Sequence, residues 1–172
     1  SSEERVREPK KLLPLQRADF AAICRAMPPR PVTIRSLDPP LHEFLPHDEA
    51  AVAAVAKHLG VATERVRDKA EALREQNPML GLRGCRLGIL YPEITIMQAR
   101  AIFEAACDVA KETRKKPKLE IMIPLVGTRA ELDLQAEIVR ATAEEVLAER
   151  RMRIPHRVGT MIELPRSARV AG

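Results

Sequence analysis

At 172 residues the chain has the size of one domain, and its 45% of hydrophobic residues suffice for a sizeable core. No run approaches the roughly 20 consecutive apolar residues that cross a bilayer, and the start, SSEERVREPKK, lacks the apolar core of a signal peptide. We therefore expect a cytoplasmic protein that does not enter a membrane.

The net charge of +5 invites a nucleic-acid interpretation, but charges of both signs are mixed along the chain. The aromatic residues are three phenylalanines and one tyrosine, too few for base-stacking surfaces, so we expect no nucleic-acid partner. The basic surplus is either a solvated surface or in part a contact for a small anionic ligand.

The three cysteines, Cys24, Cys85 and Cys107, are widely spaced and form no CxxC pair. This pattern predicts neither a disulfide framework nor a zinc site, and it agrees with a reducing compartment.

The first predicted elements are a helix and a strand. Phe20, Ile23 and Met27 recur at helical spacing, which predicts an apolar helix face that ends before the proline pair at 28–29. The β-branched run Val32–Ile34 predicts a strand near residues 32–37, and the following prolines stop regular structure.

Two helices are predicted next. Asp48 is a suitable N-cap for a helix whose apolar face includes Leu59 and whose end is Gly60. Thr63 is a suitable N-cap for a second helix, which the Asn77-Pro78 pair should end.

The later elements alternate between strand and helix. The segment Asn77–Tyr91, NPMLGLRGCRLGILY, contains three glycines and no helical period, so we predict a loop and a short strand near residues 84–90. A helix over 93–113, a fully buried strand over 119–126, a helix over 128–149, a strand over 158–164 and a last helix from Pro165 should follow. Thr128 and Glu131 form a candidate capping box for the helix over 128–149. The alternation predicts an α/β fold with about four parallel strands and flanking helices.

Three polar residues lie where strands of such a fold end or in the glycine-rich loop. Arg35 closes the VTIR strand, Arg83 lies in GLRGCR, and Glu163 closes VGTMIE. Ligands of parallel α/β proteins bind at the carboxyl ends of the strands. Arginine pairs bidentately with phosphate, and hard cations prefer carboxylate oxygens, so this set suits a phosphorylated or carboxylated ligand held with a divalent metal.

Each residue also has a purely structural interpretation. Arg35 is spaced to form an ion pair with Asp38, and Arg83 is placed to stabilise its loop through backbone carbonyls. Glu163 is one helical turn from Arg166 and is spaced to pair with it.

The histidines and Cys85 are weaker candidates. His42, His47, His58 and His156 show no metal-ligand spacing, and we expect His58 to lie on a helix surface. Cys85, between a glycine and an arginine, has either a lowered pKa or, as we expect, the properties of a packed thiol.

At this point five segments, in this order along the chain, resemble consecutive motifs of the pyruvate, phosphate dikinases, which are PEP-utilising enzymes. They are PVTIRSLDPPLHEFLP (31–46), NPMLGLRGCRLGILYPEI (77–94), MQARAIFEAA (97–106), EIMIPLVGT (120–128) and VGTMIELPR (158–166). KLLPLQRADF (11–20) is also similar, so the resemblance covers nearly the whole chain. Phosphoenolpyruvate synthase and enzyme I of the sugar phosphotransferase system share the arginines and the glutamate, but RSLDPPLHEFLP favours the dikinases.

The resemblance implies a (β/α)8 TIM barrel that interconverts pyruvate and phosphoenolpyruvate, of which this chain is a part. Residues 1–30 would be a helical lead-in and residues 31–172 consecutive βα units. Arg35 and Arg83 match the arginines that hold the substrate phosphate, and Glu163 matches one of two carboxylates that bind Mg²⁺. Implied partners are phosphoenolpyruvate or pyruvate, the other domains of the parent enzyme, and a second copy of the chain.

Other family features have no counterpart here. The chain lacks the second metal-binding aspartate with its neighbouring asparagine, the cysteine proton donor, the ATP-grasp domain and the phosphohistidine segment. We therefore expect the chain to be inactive alone. The alternative is a non-catalytic binding or scaffold module that keeps Arg35 and Arg83 as an anion site or pairs with another chain to complete a barrel.

Overall fold

The structure, a computed structural model, describes residues 2–74 and 81–171, without the side chains of residues 2–8, 10, 41 and 42. The chain divides into two compact units, one formed by residues 1–38 with 84–172 and the other by residues 39–83. Within the described ranges, no helix is both long and apolar enough to cross a membrane.

The first unit contains a small sheet and five helices. Its elements in chain order are α1 (Ser2–Ala26), β1 (Pro31–Arg35), α4 (Gly84–Leu90), α5 (Pro92–Thr113), β2 (Lys118–Ile123), α6 (Arg129–Arg150), β3 (His156–Thr160) and α7 (Pro165–Arg169). Pro92 and Pro165 each occupy a first helical turn, where the missing N–H costs nothing, so the helix predicted from Pro165 is confirmed.

The sheet has the order β1-β2-β3, and both neighbouring pairs are parallel. Arg35 lies opposite Met122 in the first pair, and Ile123 lies opposite Thr160 in the second. The α/β prediction with parallel strands is therefore confirmed. Each strand ends earlier than predicted, so Glu163 lies in the loop three residues beyond Thr160 rather than at the strand end.

The predicted strand near 84–90 is wrong, because these residues form α4 and the described sheet has three strands. A short apolar run such as RLGIL fits a strand and a buried helix equally well, so packing decides. Gly84, Cys85, Leu87 and Gly88 form the buried side of α4. A Cβ at Gly88 would lie 2.5 Å from Gln135 Oε1, so glycine permits this close approach of α4 to α6. The predicted break at Asn77-Pro78 lies outside the described residues.

The main core lies between one face of the sheet and helices α1, α5 and α6. Phe103 of α5 is its largest fully buried side chain, and it packs with Ile34 and Ile121 from the sheet and Val146 from α6. Fully burying one such side chain stabilises the fold by about 1.5–3 kcal/mol. The burial of β2 alternates, so the predicted burial on both faces is not seen: Leu119, Ile121 and Ile123 are buried, whereas Glu120 and Met122 are half-buried.

Helix α1 packs against α5, and ion pairs fix their relative position. Arg17 binds Glu104 and Asp108, and Arg25 binds Glu112 through two nitrogens. The apolar face predicted for α1 is only partly correct. Phe20 and the neighbouring Cys24 contact the core, but Ile23 and Met27 are exposed.

The second unit contains a 3₁₀ turn (Leu41–Phe44) and the helices α2 (Glu49–Leu59) and α3 (Thr63–Ala72). Asp48 accepts a hydrogen bond from the Ala51 amide at 2.7 Å, and Gly60 ends α2 at φ = 65°, as predicted. The N-cap of α3 is Ala62 rather than the predicted Thr63, which is the first helical residue. Leu59, predicted on the apolar face of α2, is exposed.

Candidate functional site

The carboxyl edge of the sheet carries two of the three predicted site residues. Because the strands are parallel and in register, the loops after β1, β2 and β3 begin at the same edge. Arg35 ends β1, and Glu163 lies in the loop after β3. Strand β2 separates β1 from β3, so their backbones lie roughly 10 Å apart at this edge.

Arg35 forms the ion pair that its spacing allowed. Its Nη1 lies 3.2 Å from Oδ2 of Asp38, whose side chain is only 7% exposed, whereas the Arg35 side chain is 48% exposed. Hydrogen bonds from two backbone amides hold the loop between Arg35 and Asp38. The Ser36 amide donates to the Met122 carbonyl, and the Leu37 amide donates to Oε1 of the Gln98 side chain. A guanidinium has five N–H donors, so an ion pair through Nη1 is compatible with a second anion at the exposed side.

Glu163 binds the loop after β2 rather than Arg166. Its Oε1 accepts a hydrogen bond of 2.7 Å from the backbone amide of Leu125. Glu163 and Arg166 are both described, and no ion pair joins them there, so that structural interpretation is wrong. The residue is exposed, and the bond to Leu125 fixes one carboxylate oxygen.

Leu125 forms an unusual turn at the end of β2. Its φ is 58°, in the left-handed region that a branched side chain rarely adopts. Cys85 holds the turn from the α4 side, because its amide donates to the Pro124 carbonyl and its thiol lies 3.1 Å from the Leu125 carbonyl. Gly84, at φ = 55°, lets α4 begin here, since a Cβ would lie 3.0 Å from Leu125.

Cys85 is a packed thiol, as predicted. Its side chain is 1% exposed, and burial raises the pKa of the thiol to about 11. The thiol therefore stays protonated at neutral pH and donates its hydrogen to the Leu125 carbonyl. This makes Cys85 part of the support for Glu163, a role that its position in the sequence did not indicate.

Arg83 belongs to the second unit and is its last residue, directly before Gly84. The structure thus brings Arg35 and Glu163 to one edge of one sheet, and the convergence of Arg83 with them stays a prediction. Arg83 is half-buried and has an interaction within the chain, and its structural interpretation as a loop-stabilising residue stays a prediction.

At the carboxyl edge of the sheet, Glu163 is the predicted metal ligand. Over the described ranges, no three His, Cys, Asp or Glu side chains are clustered in a way that would hold a metal ion. Mg²⁺ commonly binds proteins through one or two carboxylates and keeps several waters. An exposed Glu163 with one oxygen fixed by Leu125 fits a single ligand position of that kind.

The histidines occupy structural or surface positions where their side chains are described. His58 is exposed on α2, as predicted. His156 contacts the Ile154 carbonyl through Nδ1 and packs edge-on against Phe103 with 5.0 Å between ring centroids. His47 lines a cleft within the second unit, and the His42 side chain lies outside the described residues.

A cleft of about 430 Å³ lies beside this edge, between the loop after β2 and α7. Its lining includes Thr128, Arg129, Thr160 and Ser167, and neither Arg35 nor Glu163 contributes to it. The cleft therefore adjoins the candidate site without containing it.

Comparison with known proteins gives a consistent result. Residues 2–172 match the family described as "PEP-utilising enzyme, PEP-binding domain". The chain is 54% identical over 158 residues to the pyruvate, phosphate dikinase of Rhizobium meliloti (strain 1021). The aligned region covers 92% of this chain and 18% of the relative. It is 48% identical over 160 residues to the pyruvate, phosphate dikinase of Clostridium symbiosum, with coverage of 93% and 18%.

A plant relative has a similar level of identity to the chain. The chain is 53% identical over 162 residues to "Pyruvate, phosphate dikinase 1, chloroplastic" of Arabidopsis thaliana, which covers 93% of this chain and 17% of the relative. The chain thus spans less than a fifth of the length of these relatives. From the match over residues 2–172, we conclude that this chain belongs to the PEP-utilising enzyme family and corresponds to its PEP-binding domain.

Proposed function

We propose that the chain is the part of a pyruvate, phosphate dikinase that binds phosphoenolpyruvate or pyruvate together with Mg²⁺. The parent reaction would be ATP + pyruvate + phosphate = AMP + phosphoenolpyruvate + diphosphate. The proposal rests on one observation above all: Arg35 and Glu163, chosen from strand-end position, lie at the same carboxyl edge in a chain that matches a PEP-binding domain. The names of the relatives favour a dikinase over phosphoenolpyruvate synthase or enzyme I.

Arg35 and Arg83 would bind the phosphate and carboxylate of the substrate. Guanidinium groups suit both anions because they donate paired hydrogen bonds in one plane. The contact with buried Asp38 would orient Arg35 before the substrate arrives, so less conformational entropy would be lost on binding.

Glu163 would hold the metal through the carboxylate oxygen that does not bind Leu125. Bound Mg²⁺ would supply positive charge that stabilises the enolate and the transferring phosphoryl group. The residues of this chain would position the substrate, and a phosphohistidine from elsewhere in the parent enzyme would exchange the phosphoryl group.

The other domains of the parent enzyme and a second copy of the chain are the proposed partners. In the described sheet, β1 and β3 each pair on one side only, and open strand edges favour association. Sedimentation equilibrium tests the second copy: a monomer that persists at high concentration would argue against a homo-oligomer. A cytoplasmic location remains a prediction, and one relative above is named chloroplastic.

Calorimetric titration of phosphoenolpyruvate with Mg²⁺ into the chain tests the proposal. Arg83→Ala should weaken binding about tenfold or more, because a hydrogen bond to a charged group contributes about 1.5–3 kcal/mol. Glu163→Ala should also weaken binding, because it removes the proposed ligand of the Mg²⁺ that binds with the substrate. Arg140→Ala, which removes an exposed arginine of α6, is the matched control and should leave affinity unchanged. Equal affinity in all variants, or no binding to a folded chain, would count against a substrate site in this chain.

A further inference from the structure

The amino edge of the sheet, opposite the edge that carries Arg35 and Glu163, is rich in exposed cations. They lie in the segments that lead into β2 and β3 or at the start of β2. These exposed residues are Arg114, Lys115, Lys116, Lys118, Arg151 and Arg153. Because the strands are parallel and in register, the two segments approach the same edge.

These cations have no acidic partner among the residues that the structure describes. Two nearby carboxylates are already paired within the helical layer. Glu112 binds Arg25 at 2.7 Å, and Asp108 binds both Arg17 and Arg150. The pairing leaves this edge with a surplus of positive charge.

Helix dipoles explain only part of the arrangement. Arg114 and Arg151 are the C-caps of α5 and α6, where positive charge is favoured. Lys116, Lys118 and Arg153 lie beyond the last helical turn, where this interaction has faded. The helix dipoles therefore do not account for these three side chains.

A groove of about 750 Å³ lies within this charged region. Its apolar lining includes the half-buried Leu147 and Met152, whose backbones are joined by a hydrogen bond of 3.0 Å. Its exposed lining includes Lys116, Arg151, Arg153 and one carboxylate, Glu144. The groove thus combines an apolar strip with positive side chains.

We propose that this basic groove binds an acidic protein segment that inserts an apolar side chain between its charged residues. Cations around a small apolar surface favour such a peptide by charge complementarity and by burial of that side chain. No aromatic side chain lines the groove within the described chain, which disfavours stacking on nucleic-acid bases. Leu147 and Met152 are half-buried rather than projecting, which disfavours insertion into a membrane.

Fluorescence polarisation with the full chain tests this proposal. The probe is a fluorescein-labelled peptide in which glutamates flank a pair of leucines, and a second peptide replaces the leucines with serines. A Lys116→Glu/Arg153→Glu double variant should bind the first peptide about tenfold more weakly, since two attractions become repulsions. A Lys57→Glu/Arg140→Glu variant makes the same change in net charge at exposed sites outside the groove and should bind within about twofold of the unchanged chain.

The serine peptide should bind more weakly than the leucine peptide, and salt should weaken both. Equal losses of affinity in the two double variants would show that the peptide responds only to the net charge of the protein. That result would overturn the proposal that the groove binds it. Absence of binding by the folded chain would overturn it too. Tighter binding of a single-stranded DNA oligonucleotide, or of vesicles of phosphatidylserine and phosphatidylcholine, would reject a protein segment as the occupant.

Discussion

The backbone amide of Leu125 donates a hydrogen bond to Oε1 of Glu163 across 2.7 Å, and it joins the loop after β2 to the loop after β3. Leu125 adopts a left-handed φ of 58°, and Cys85 holds the same turn from its other side. The position of the proposed metal ligand therefore depends on the turn at the end of the central strand.

Substitutions of Glu163 should separate its structural role from metal binding. Glu163→Ala leaves the Leu125 amide without its acceptor and should lower the free energy of unfolding by about 1–3 kcal/mol. Glu163→Gln keeps an acceptor oxygen and should cost less, while still weakening metal binding. Urea denaturation measures the free energy of unfolding of both variants, with Glu137→Ala on the exposed face of α6 as the control. A cost for Glu163→Ala no larger than that of the control would mean that the hydrogen bond contributes nothing.

Gly84→Ala should destabilise the protein more than Gly60→Ala. Both glycines have positive φ, 55° and 65°, so each alanine should cost roughly 1–2 kcal/mol in backbone strain. At Gly84 the new Cβ would also lie 3.0 Å from Leu125, whereas nothing lies within 4 Å at Gly60. Overpacking adds about 1–3 kcal/mol, which urea denaturation of the two variants would resolve. Equal losses of stability would show that the turn at Leu125 shifts to accommodate the new Cβ without an additional cost.

The three cysteines should be unreactive in the folded protein at neutral pH. Cys24, Cys85 and Cys107 are at most 1% exposed, and burial raises the pKa of each thiol, that of Cys85 to about 11. A coloured thiol reagent should react fully only after denaturation. Rapid reaction of any of them with the native chain would contradict this burial.

The raised pKa of Cys85 also predicts a loss of stability in alkali. The folded state holds the thiol proton more tightly than the unfolded state, so the stabilisation is complete below the unfolded pKa of 9.0 and is lost as pH rises toward about 11. Cys85→Ala should show a shallower fall in the free energy of unfolding over this range. The comparison is made between variants because the other two thiols titrate in the same direction.

Glu131 should contribute to stability in the opposite pH range. Burial raises the pKa of its carboxyl, but hydrogen bonds from Gly127 and Thr128 outweigh burial and leave the pKa lowered. The stabilisation should therefore be present above the ordinary carboxyl pKa of about 4.3 and be lost as pH falls through the lower folded value. Glu131→Gln should lose less stability between neutral and acidic pH than the unchanged chain. An identical loss in both proteins would exclude this carboxyl as the source.

Sequence reasoning succeeded where a local interaction determines the structure. The capping box of Thr128 with Glu131 needs only three residues of spacing, and both of its hydrogen bonds are present. The N-cap at Asp48 and the left-handed end at Gly60 are likewise local. The long helices α5 and α6 followed from sustained helical periodicity, and Met97 and Val109 lie on the buried face of α5.

The failures arose where tertiary packing decides. Residues 84–90 carry a short apolar run without a clear period, and close packing against Gln135 of α6 makes them helical. The left-handed turn at Leu125 was not predictable, because leucine gives no local signal for positive φ. The support of Glu163 by Leu125 and Cys85 was missed for that reason, whereas the strand-end rule correctly placed Arg35 and Glu163 at the same edge of the sheet.

Thermodynamic coupling between Mg²⁺ and phosphoenolpyruvate tests the proposed site most directly. The affinity for phosphoenolpyruvate should be measured by calorimetry with and without Mg²⁺, in the unchanged chain and in Glu163→Gln. If Glu163 holds the metal beside the substrate, Mg²⁺ should strengthen binding to the unchanged chain by about tenfold or more and have little effect on the variant. An equal effect of Mg²⁺ on both proteins would contradict the assignment of Glu163 as the metal ligand.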